Sequence, residues 1–356
     1  MKLLIAGGGT GGHVFPAIAV AQEWLRRAQG REVVIVGTER GLEAKLVPAA
    51  GLPLEMIRVA GLKGIGGARL LRNAAMLPAG LWDSAAILRR HRCAAAFGVG
   101  GYASGPMMLM ATMDSLPTVI FEPNIEPGFT NRVLAGMAAR VAAAWQETAD
   151  RFGRKAVVTG CPVRREFFSA LVREHRPPFR LLITGGSRGA LPINRTVIDA
   201  MDLLATRKNQ LFIVHQTGER DYNAVRVAYA RREFPAEVSP FIQNMAERFA
   251  EADLIVCRSG AITAAEVAAA GRAAIFIPFG AATDSHQLRN AQAMERAGAS
   301  RVIPQNELTP ERLANEIFSL LDQPGRLSEM ERRARTLARP RATEAIADLL
   351  EEVARP

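Results

Sequence analysis

Residues 2–16 read KLLIAGGGTGGHVFP, and the order of residue types within this stretch decides the predicted fold. The apolar run Lys2–Ala6 has the length of a buried strand, the glycines after it favour a tight turn, and a helical apolar pattern begins at Val14. The same order returns in residues 180–191, RLLITGGSRGAL. The sequence therefore predicts two strand–turn–helix units, one near the start of each half.

Further short apolar runs are separated by helix-length segments, which is typical of parallel sheets with helices on both faces. They are Glu32–Val36, Cys93–Val99, Pro117–Phe121 and Arg140–Ala144 in the first half, and Leu211–Val214, Asp253–Cys257 and Ala274–Ile277 in the second. A chain of 356 residues also exceeds what one hydrophobic core usually organises. We predict an α/β protein of two doubly wound domains, residues 1–160 and 161–340. The amphipathic segment Thr343–Val353 could pack on either domain, and we assign residues 341–356 to the first.

Composition narrows the class of partner. Lysine and arginine number 45 against 35 acidic residues, and the formal charge of +10 favours anionic partners such as phosphates or acidic lipid. Basic residues are scattered and aromatic residues make up only 6% of the chain, which argues against nucleic acid. Three widely spaced cysteines and the lack of any Asp-x-Asp pair predict no disulfide framework, no metal site and no cofactor. Because Met1–Ala6 runs straight into glycines, we expect no signal peptide, and a soluble or peripheral protein of the cytosol.

The first glycine turn has two interpretations. Gly7, Gly9 and Gly12 have the spacing of the dinucleotide fingerprint, which lets backbone N–H groups approach a phosphate. His13 and Pro16 at the helix start, and no acidic residue at the usual distance, favour a phosphate or sugar over a dinucleotide. His13 is either a proton acceptor at the carboxyl edge of the sheet or a helix-capping side chain.

The second half carries candidate anion and sugar contacts. Gly185–Gly189 joins a hydroxyl and a guanidinium to a glycine turn, and Arg258–Thr263 forms a second such element. Glu266 lies in an otherwise apolar helix and needs a partner, either ribose hydroxyls or an arginine. Amide and imidazole side chains within Gly280–Asn290 either bind sugar hydroxyls or belong to a solvated loop. Residues 68–83, ARLLRNAAMLPAGLWD, suit either a membrane surface, through Arg69 and Arg72, or a buried amphipathic helix.

Together these features resemble the MurG family of N-acetylglucosaminyltransferases over essentially the full chain. The matching blocks are Gly7–Pro16 (GGGTGGHVFP), Gly98–Pro106 (GVGGYASGP), Glu122–Arg132 (EPNIEPGFTNR), Gly160–Arg164 (GCPVR), Gly185–Ala190 (GGSRGA) and Cys257–Gly271 (CRSGAITAAEVAAAG). The sequence departs from the family pattern at Phe121 and Pro123, where many members carry histidine and glutamine, at His286, and in residues 280–283.

The resemblance implies a GT-B fold of two Rossmann-like domains with the active site in the cleft between them. UDP-N-acetylglucosamine would bind the second domain and lipid I, the undecaprenyl-diphosphate-linked muramyl pentapeptide, the first. The implied reaction is an inverting transfer to the muramyl C4 hydroxyl, which gives lipid II for peptidoglycan synthesis and so serves cell shape and division. The implied location is the cytoplasmic face of the inner membrane, as a peripheral protein on an anionic surface.

The resemblance also implies roles for individual residues, with His13 as the catalytic base. The implied donor contacts are Arg164, Ser187, Ile242, Ala261, Ile262, Thr263, Glu266, Gln287 and Asn290. Those on the acceptor side are Thr10, Gly11, Gly12, Tyr102 and Asn124. In this interpretation Gly185–Gly189 takes the donor diphosphate, and Gly7–Gly12 takes that of the acceptor.

Two rival functions share many of these features. Another GT-B transferase, or a UDP-sugar 2-epimerase, would share the donor half but need a different acceptor half. The blocks GGTGGHVFP and GGYASGP in the first half argue against this alternative. A nucleotide- or lipid-binding module without chemistry would need only the basic surface and the amphipathic segment.

Overall fold

The computed structural model describes residues 1–9, 11–39, 41–60, 73, 75–169, 174–280 and 286–354. The chain divides into two compact units: unit 1 comprises Met1–Val163 with Arg339–Pro356, and unit 2 comprises Arg164–Ala338. In the described part of the chain, no helix has the length and apolar character that crossing a bilayer requires.

Unit 1 alternates strands and helices. Its strands are β1 (Lys2–Gly7), β2 (Glu32–Gly37), β3 (Leu54–Met56), β4 (Ala95–Gly100), β5 (Thr118–Glu122), β6 (Arg140–Ala143) and β7 (Ala156–Val158). Its described helices are α1 (Gly11–Arg26), α2 (Glu43–Ala49), α3 (Leu77–His91), α4 (Ser104–Met113), α5 (Phe129–Ala135) and α6 (Gln146–Phe152), with a 3-10 turn at Gly153–Lys155.

Unit 2 repeats the alternation. Its strands are β8 (Phe179–Thr184), β9 (Leu211–Gln216), β10 (Ala236–Ser239), β11 (Leu254–Cys257), β12 (Ala274–Phe276) and β13 (Ser300–Val302). Its described helices are α7 (Leu191–Asp199), α8 (Met201–Ala205), α9 (Tyr222–Arg231), α10 (Met245–Glu251), α11 (Ala261–Ala270), α12 (His286–Arg296), α13 (Pro310–Leu321) and α14 (Pro324–Leu337). Further 3-10 turns span Arg165–Ser169, Lys208–Gln210 and Gln305–Glu307. The last helix of the chain, α15 (Ala342–Ala354), belongs to unit 1.

Each unit contains one parallel sheet. The strand order is β3-β2-β1-β4-β5-β6-β7 in unit 1 and β10-β9-β8-β11-β12-β13 in unit 2. The predicted fold class is confirmed. The interior strands are continuous apolar runs because helices cover both faces of the sheet. In each unit the order reverses next to the first strand, between β1 and β4 or between β8 and β11, and ligands bind open α/β sheets at such points.

The C-terminal helix α15 packs on α1. Arg27, the residue directly after α1, forms an ion pair with Asp348 at 2.7 Å and donates to the Glu344 carbonyl at 2.8 Å. Ile346 and Leu350 of α15 are fully buried. Apolar burial and charge pairing therefore both attach the end of the chain to the unit in which it began.

Candidate active site

The first glycine turn connects β1 to α1 at the carboxyl edge of the unit 1 sheet. Gly9 has a φ of +94°, which a residue with a side chain rarely adopts. The turn lies against the end of β4, where Gly8 N–H donates to the Gly100 carbonyl at 3.3 Å. A Cβ at Gly101, the next residue, would overlap the Gly8 carbonyl. Gly11 and Gly12 are the first residues of α1, and Thr10 lies outside the described residues.

His13 occupies the first turn of α1. Its Nδ1 lies 3.2 Å from the Gly8 carbonyl oxygen. A Cβ at Gly100 would fall 3.0 Å from His13 Nε2, so glycine at this position leaves room for that edge of the ring. Burial lowers the pKa of His13, while the Gly8 carbonyl and the charge of Glu43 raise it; the net shift is downward. The imidazole is therefore neutral near pH 7, which is the form that accepts a proton.

A cavity of about 850 Å³ opens beside His13. The loops after β4 and β5 and helices α3, α4 and α5 line it; among its residues are Val59, Leu77, Leu81, Tyr102, Pro106, Leu109, Glu122, Pro123, Asn124, Phe129 and Asn131. The structure thus brings the predicted His13, Tyr102 and Asn124 to one cavity. Its walls combine these polar groups with a broad apolar surface.

Glu122, the last residue of β5, accepts hydrogen bonds from the cavity wall that follows this strand. Its Oε1 accepts hydrogen bonds from the backbone and side-chain nitrogens of Asn124, both at 3.0 Å. Its Oε2 accepts from Gly128 N and Asn131 Nδ2, both at 2.9 Å. The predicted residue Asn124 is therefore held by a carboxylate that the sequence analysis quoted only as part of a block.

The two family departures in this region have different environments. Phe121 is fully buried in the sheet, with its ring centroid 6.5 Å from that of Phe97. Pro123 lines the cavity, and its carbonyl accepts from Trp145 Nε1 at 3.2 Å. Only the second departure therefore changes the cavity lining. The departure in residues 280–283 falls largely on residues 281–283, which lie outside the described residues.

The second glycine turn connects β8 to α7 and carries Ser187. Gly186 and Gly189 both have positive φ, and a Cβ at Gly189 would overlap the Thr217 carbonyl. Gln216, at the end of β9, donates through Nε2 to Thr184 Oγ1 at 3.1 Å and to the Gly186 carbonyl at 3.0 Å.

Gln216 also links the second turn to Ile242, another of the implied donor contacts. Its Oε1 accepts from the backbone N–H of Ile242 at 2.8 Å. One buried amide thus connects two predicted donor-binding elements that lie far apart in sequence. Gln216 lies outside the sequence motifs described above.

The start of α11 brings together the remaining predicted donor residues of unit 2. Ala261, Ile262 and Thr263 form its first turn. Ser259, two residues earlier, donates from Oγ to the Gln287 carbonyl at 2.8 Å, and Asn290 Nδ2 donates to the Ser259 carbonyl at 3.3 Å. The structure therefore joins this helix start to α12, which carries Gln287 and Asn290.

Two charged groups of this region have shifted pKa values. Burial raises the pKa of Glu266 to about 7, against the positive charge of Arg164, which lowers it. Burial lowers the pKa of Arg258 to about 10, and its guanidinium donates to the Ile277 carbonyl and to Gln305 Oε1. The arginine that the sequence analysis considered as a partner for Glu266 is thus near enough to act on it. Perturbed groups of this kind are common at binding sites.

Two further predictions concern a metal site and the amphipathic segment 68–83. Within the described ranges, no three histidine, cysteine, aspartate or glutamate side chains are grouped as a metal ion would require. Of the amphipathic segment 68–83, residues 68–72 and 74 lie outside the description. In its described part, Leu77 and Leu81 line the cavity and Trp82 is 69% exposed.

Comparison with known proteins gives matches over both units. The model of the glycosyltransferase family 28 N-terminal domain matches residues 3–143, and that of its C-terminal domain matches residues 180–352. A relative from Myxococcus xanthus, named UDP-N-acetylglucosamine--N-acetylmuramyl-(pentapeptide) pyrophosphoryl-undecaprenol N-acetylglucosamine transferase, is 46% identical over 98% of this chain and 92% of its own.

Solved structures with similar folds differ widely in their sequence identity to this chain. The crystal structure of Acinetobacter baumannii MurG has a TM-score of 0.80 and 33% identity and covers 99% of both chains. The UDP-GlcNAc 2-epimerase from Neisseria meningitidis, bound to UDP-GlcNAc, has a TM-score of 0.72 and covers 99% of this chain and 100% of its own. Its identity is only 12%, so that likeness shows the fold alone.

Proposed function

The chain belongs to glycosyltransferase family 28, and on that premise we propose that it is the N-acetylglucosaminyltransferase that converts lipid I to lipid II in peptidoglycan synthesis. UDP-N-acetylglucosamine is the donor, and the muramyl C4 hydroxyl of undecaprenyl-diphosphate-linked muramyl pentapeptide is the acceptor. The observation that carries the proposal at the level of the site is the placement of His13. Its neutral imidazole lies at a large cavity on the carboxyl edge of the unit 1 sheet.

The proposed chemistry is a single in-line displacement with His13 as the base. The acceptor O–H bond breaks as its proton passes to His13 Nε2, and the oxygen forms a bond to the anomeric carbon. The bond from that carbon to the diphosphate breaks, and its electron pair leaves with UDP. An α-linked donor thereby yields a β-1,4 product. A general base in such a role contributes roughly 10²–10⁴-fold to the rate.

On the donor side, we propose that the start of α11 and the second glycine turn bind the diphosphate. Helix N-termini carry partial positive charge and undonated N–H groups, so Ile262, Thr263 and Ser187 suit the developing charge on UDP. Glu266 would accept hydrogen bonds from the ribose hydroxyls, with Arg164 beside it. Ile242 would lie against the uracil at a distance set by Gln216.

The sugar of the donor would meet α12. Gln287 Oε1 accepts from Phe279 N–H at 2.9 Å, so the sugar contact predicted for Gln287 would fall to its amide NH₂. Asn290 would act nearby and is fully buried. Both side chains are tied through their own hydrogen bonds to the segment before α11 or after β12, which supports a fixed geometry for sugar recognition.

We further propose that unit 1 binds the cytoplasmic face of the inner membrane as a peripheral protein. Helices α3 and α5 both line the cavity, and both carry exposed apolar side chains: Trp82 on α3, and Phe129 and Val133 on α5. Exposed arginines, Arg89 and Arg132, lie on the same two helices. Apolar and basic groups together suit an anionic lipid surface, on which the acceptor's polyprenyl tail would remain.

A vesicle sedimentation assay tests the membrane proposal. The double variant Trp82→Ser/Phe129→Ser should bind vesicles that contain anionic lipid several-fold more weakly than the unaltered chain. Phe241→Ser, which removes an exposed phenylalanine of unit 2, is the matched control and should bind normally. Equal binding by all three proteins would refute the surface assigned here.

The transfer reaction itself is tested with labelled UDP-N-acetylglucosamine and a lipid I analogue. The expected product is the labelled disaccharide lipid, formed only when both substrates are present. A 2-epimerase would instead yield UDP-N-acetylmannosamine without an acceptor, and a binding module would retain UDP and form neither product. Either of these two results, from a folded preparation, would replace the proposed function.

A further inference from the structure

A buried carboxylate lies directly behind the first glycine turn. Glu43, the first residue of α2, is fully buried. Its Oε1 accepts hydrogen bonds from the backbone N–H and the hydroxyl of Thr38, both at 2.9 Å, and its Oε2 accepts from Gly9 N–H at 2.7 Å. Three hydrogen bonds therefore fix the position of this carboxyl group.

The peptide that Glu43 holds is also the one that His13 contacts. Gly9 N–H and the Gly8 carbonyl belong to the same planar peptide group. The N–H donates to Glu43, and the carbonyl oxygen lies 3.2 Å from His13 Nδ1. A carbonyl can only accept, so we assign the proton of the neutral ring to Nδ1, which makes Nε2 the accepting nitrogen.

Three glycines shape the space around the Glu43 side chain. A Cβ built at Gly8 or Gly41 would overlap its carboxyl group, and one at Gly37 would overlap its Cγ. These glycines come from the first turn, from the end of β2 and from the loop before α2. A side chain at any of them would displace the carboxylate, so three separate segments leave room for it.

We propose that Glu43 is a positioning residue for His13, which acts through the Gly8–Gly9 peptide to hold the Nδ1–H tautomer and to strengthen Nε2 as proton acceptor. This rests on the proposed function, in which His13 is the base. A charged acceptor at the N–H end polarises the peptide and makes its carbonyl oxygen a stronger acceptor. When Nε2 takes the acceptor's proton, the resulting imidazolium is stabilised by that carbonyl and by the charge of Glu43.

The electrostatics of His13 agree with this arrangement. Burial lowers its pKa below the ordinary 6.5, and the two contributions that oppose burial are the Gly8 carbonyl and Glu43. The other titratable groups that line the cavity are Glu122 and Tyr102. The Glu122 carboxylate accepts hydrogen bonds within its own loop, from Asn124, Gly128 and Asn131. Glu43 differs from Glu122 in that it contacts His13 through a shared peptide.

The pH dependence of kcat/KM separates positioning from a merely structural role. Glu43→Gln should lower the plateau about 10-fold or more, less than the roughly 10²–10⁴-fold expected for loss of the base. Removing the negative charge also removes a contribution that raises the pKa of His13, so the acidic limb of the profile should move to lower pH. Glu122→Gln is the matched control: it also alters a buried carboxylate of unit 1, and its acidic limb should stay in place.

Two further measurements do not depend on how well Glu43→Gln folds. Gly37→Ala retains the charge but displaces the side chain, and should reduce the plateau and shift the limb in the same direction. Nitrogen NMR of the unaltered protein, labelled at its histidines and assigned with His13→Gln, should report the Nδ1–H tautomer for His13.

An Nε2–H tautomer in the unaltered protein, or an unmoved acidic limb in a folded Glu43→Gln protein, would overturn the proposal. The tautomer is read without any turnover. Failure of the proposed role of Glu43 can therefore be distinguished from failure of the proposed transferase function.

Discussion

The two glycine turns follow the first strand of their sheets in the same way, yet different groups lie behind them. Behind the first turn lies the charged Glu43, which accepts from Gly9 N–H at 2.7 Å. Behind the second lie neutral groups: Gly186 N–H donates to Thr184 Oγ1 at 3.1 Å, and Gln216 donates to the Gly186 carbonyl at 3.0 Å. Glycine spacing indicates how closely a ligand can approach; the side chain behind the turn decides which charge is favoured.

This difference narrows the sequence-based interpretation of the two turns. An anion at the first turn would meet the repulsion of a buried carboxylate, and one amide of that turn is already donated. A diphosphate of the acceptor would then depend on the amides of Gly11 and Gly12 at the start of α1. The second turn carries Arg188 and has a neutral amide and hydroxyl behind it, which suits the donor diphosphate. The first turn is better suited to orient a base than to bind an anion.

The largest expected effect is that of His13→Ala. Turnover should fall by roughly 10²–10⁴-fold because the acceptor hydroxyl loses its base. The affinity for UDP-N-acetylglucosamine, measured by calorimetry, should stay nearly unchanged, since the proposed donor contacts belong to unit 2. Unchanged turnover would show that His13 is not the base. A large loss of donor affinity would contradict the assignment of donor binding to unit 2.

Gln216→Met should instead weaken the binding of the donor. It removes the amide that joins the second turn to Ile242 and leaves a buried N–H without its acceptor, which costs about 1–3 kcal/mol. We expect the KM for the donor to rise about 10-fold or more, while the acidic limb of the pH profile stays where it is. A shifted limb would show that the two turns are not independent.

How far sequence could predict this molecule depends on burial. The interior strands were predicted because each is an apolar run, as in LLI of β1 or LIVC of β11. The four strands that sequence analysis missed are all sheet edges; they are β3, β7, β10 and β13. Each has only three or four residues and is largely half-buried or exposed, and three of them also contain charged residues, as in LEM of β3. They are therefore too short to stand out as apolar runs.

The sequence could suggest His13 as a base because this residue directly follows a glycine turn. It could not suggest Glu43 or Gln216, because each acts on a residue about thirty positions away and neither lies in a local motif: Gly9 and Glu43 are 34 residues apart, and Gly186 and Gln216 are 30 apart. A signal did exist for Glu43, since Gly37 and Gly41 enclose it. Its meaning becomes visible only when β2 is paired with β1.

A smaller effect is expected from the ionisation of Glu266 in unit 2. Burial raises its pKa to about 7, so the carboxylate form increases as pH rises through that value. The charged form best accepts the hydrogen bonds that two ribose hydroxyls donate, although a protonated carboxyl can still accept one. Affinity for UDP should therefore rise several-fold between about pH 6 and pH 8. Glu266→Gln should bind more weakly at pH 8 and show no such rise; an unaltered pH dependence in that variant would assign the titration elsewhere.

The smallest effect should come from Thr38→Val, which tests how firmly the carboxylate behind the first turn is held. The change removes the hydroxyl donor to Glu43 Oε1 but keeps the Thr38 N–H and the contact from Oε2 to Gly9. A hydrogen bond to a charged group contributes about 1.5–3 kcal/mol, so thermal unfolding should begin at a lower temperature. Turnover should change less than in Glu43→Gln, because the bond to the Gly8–Gly9 peptide persists. If Thr38→Val instead reproduced the full kinetic loss of Glu43→Gln, the Oε1 side would matter as much as the peptide, and orientation of His13 would depend on the whole β2–α2 loop.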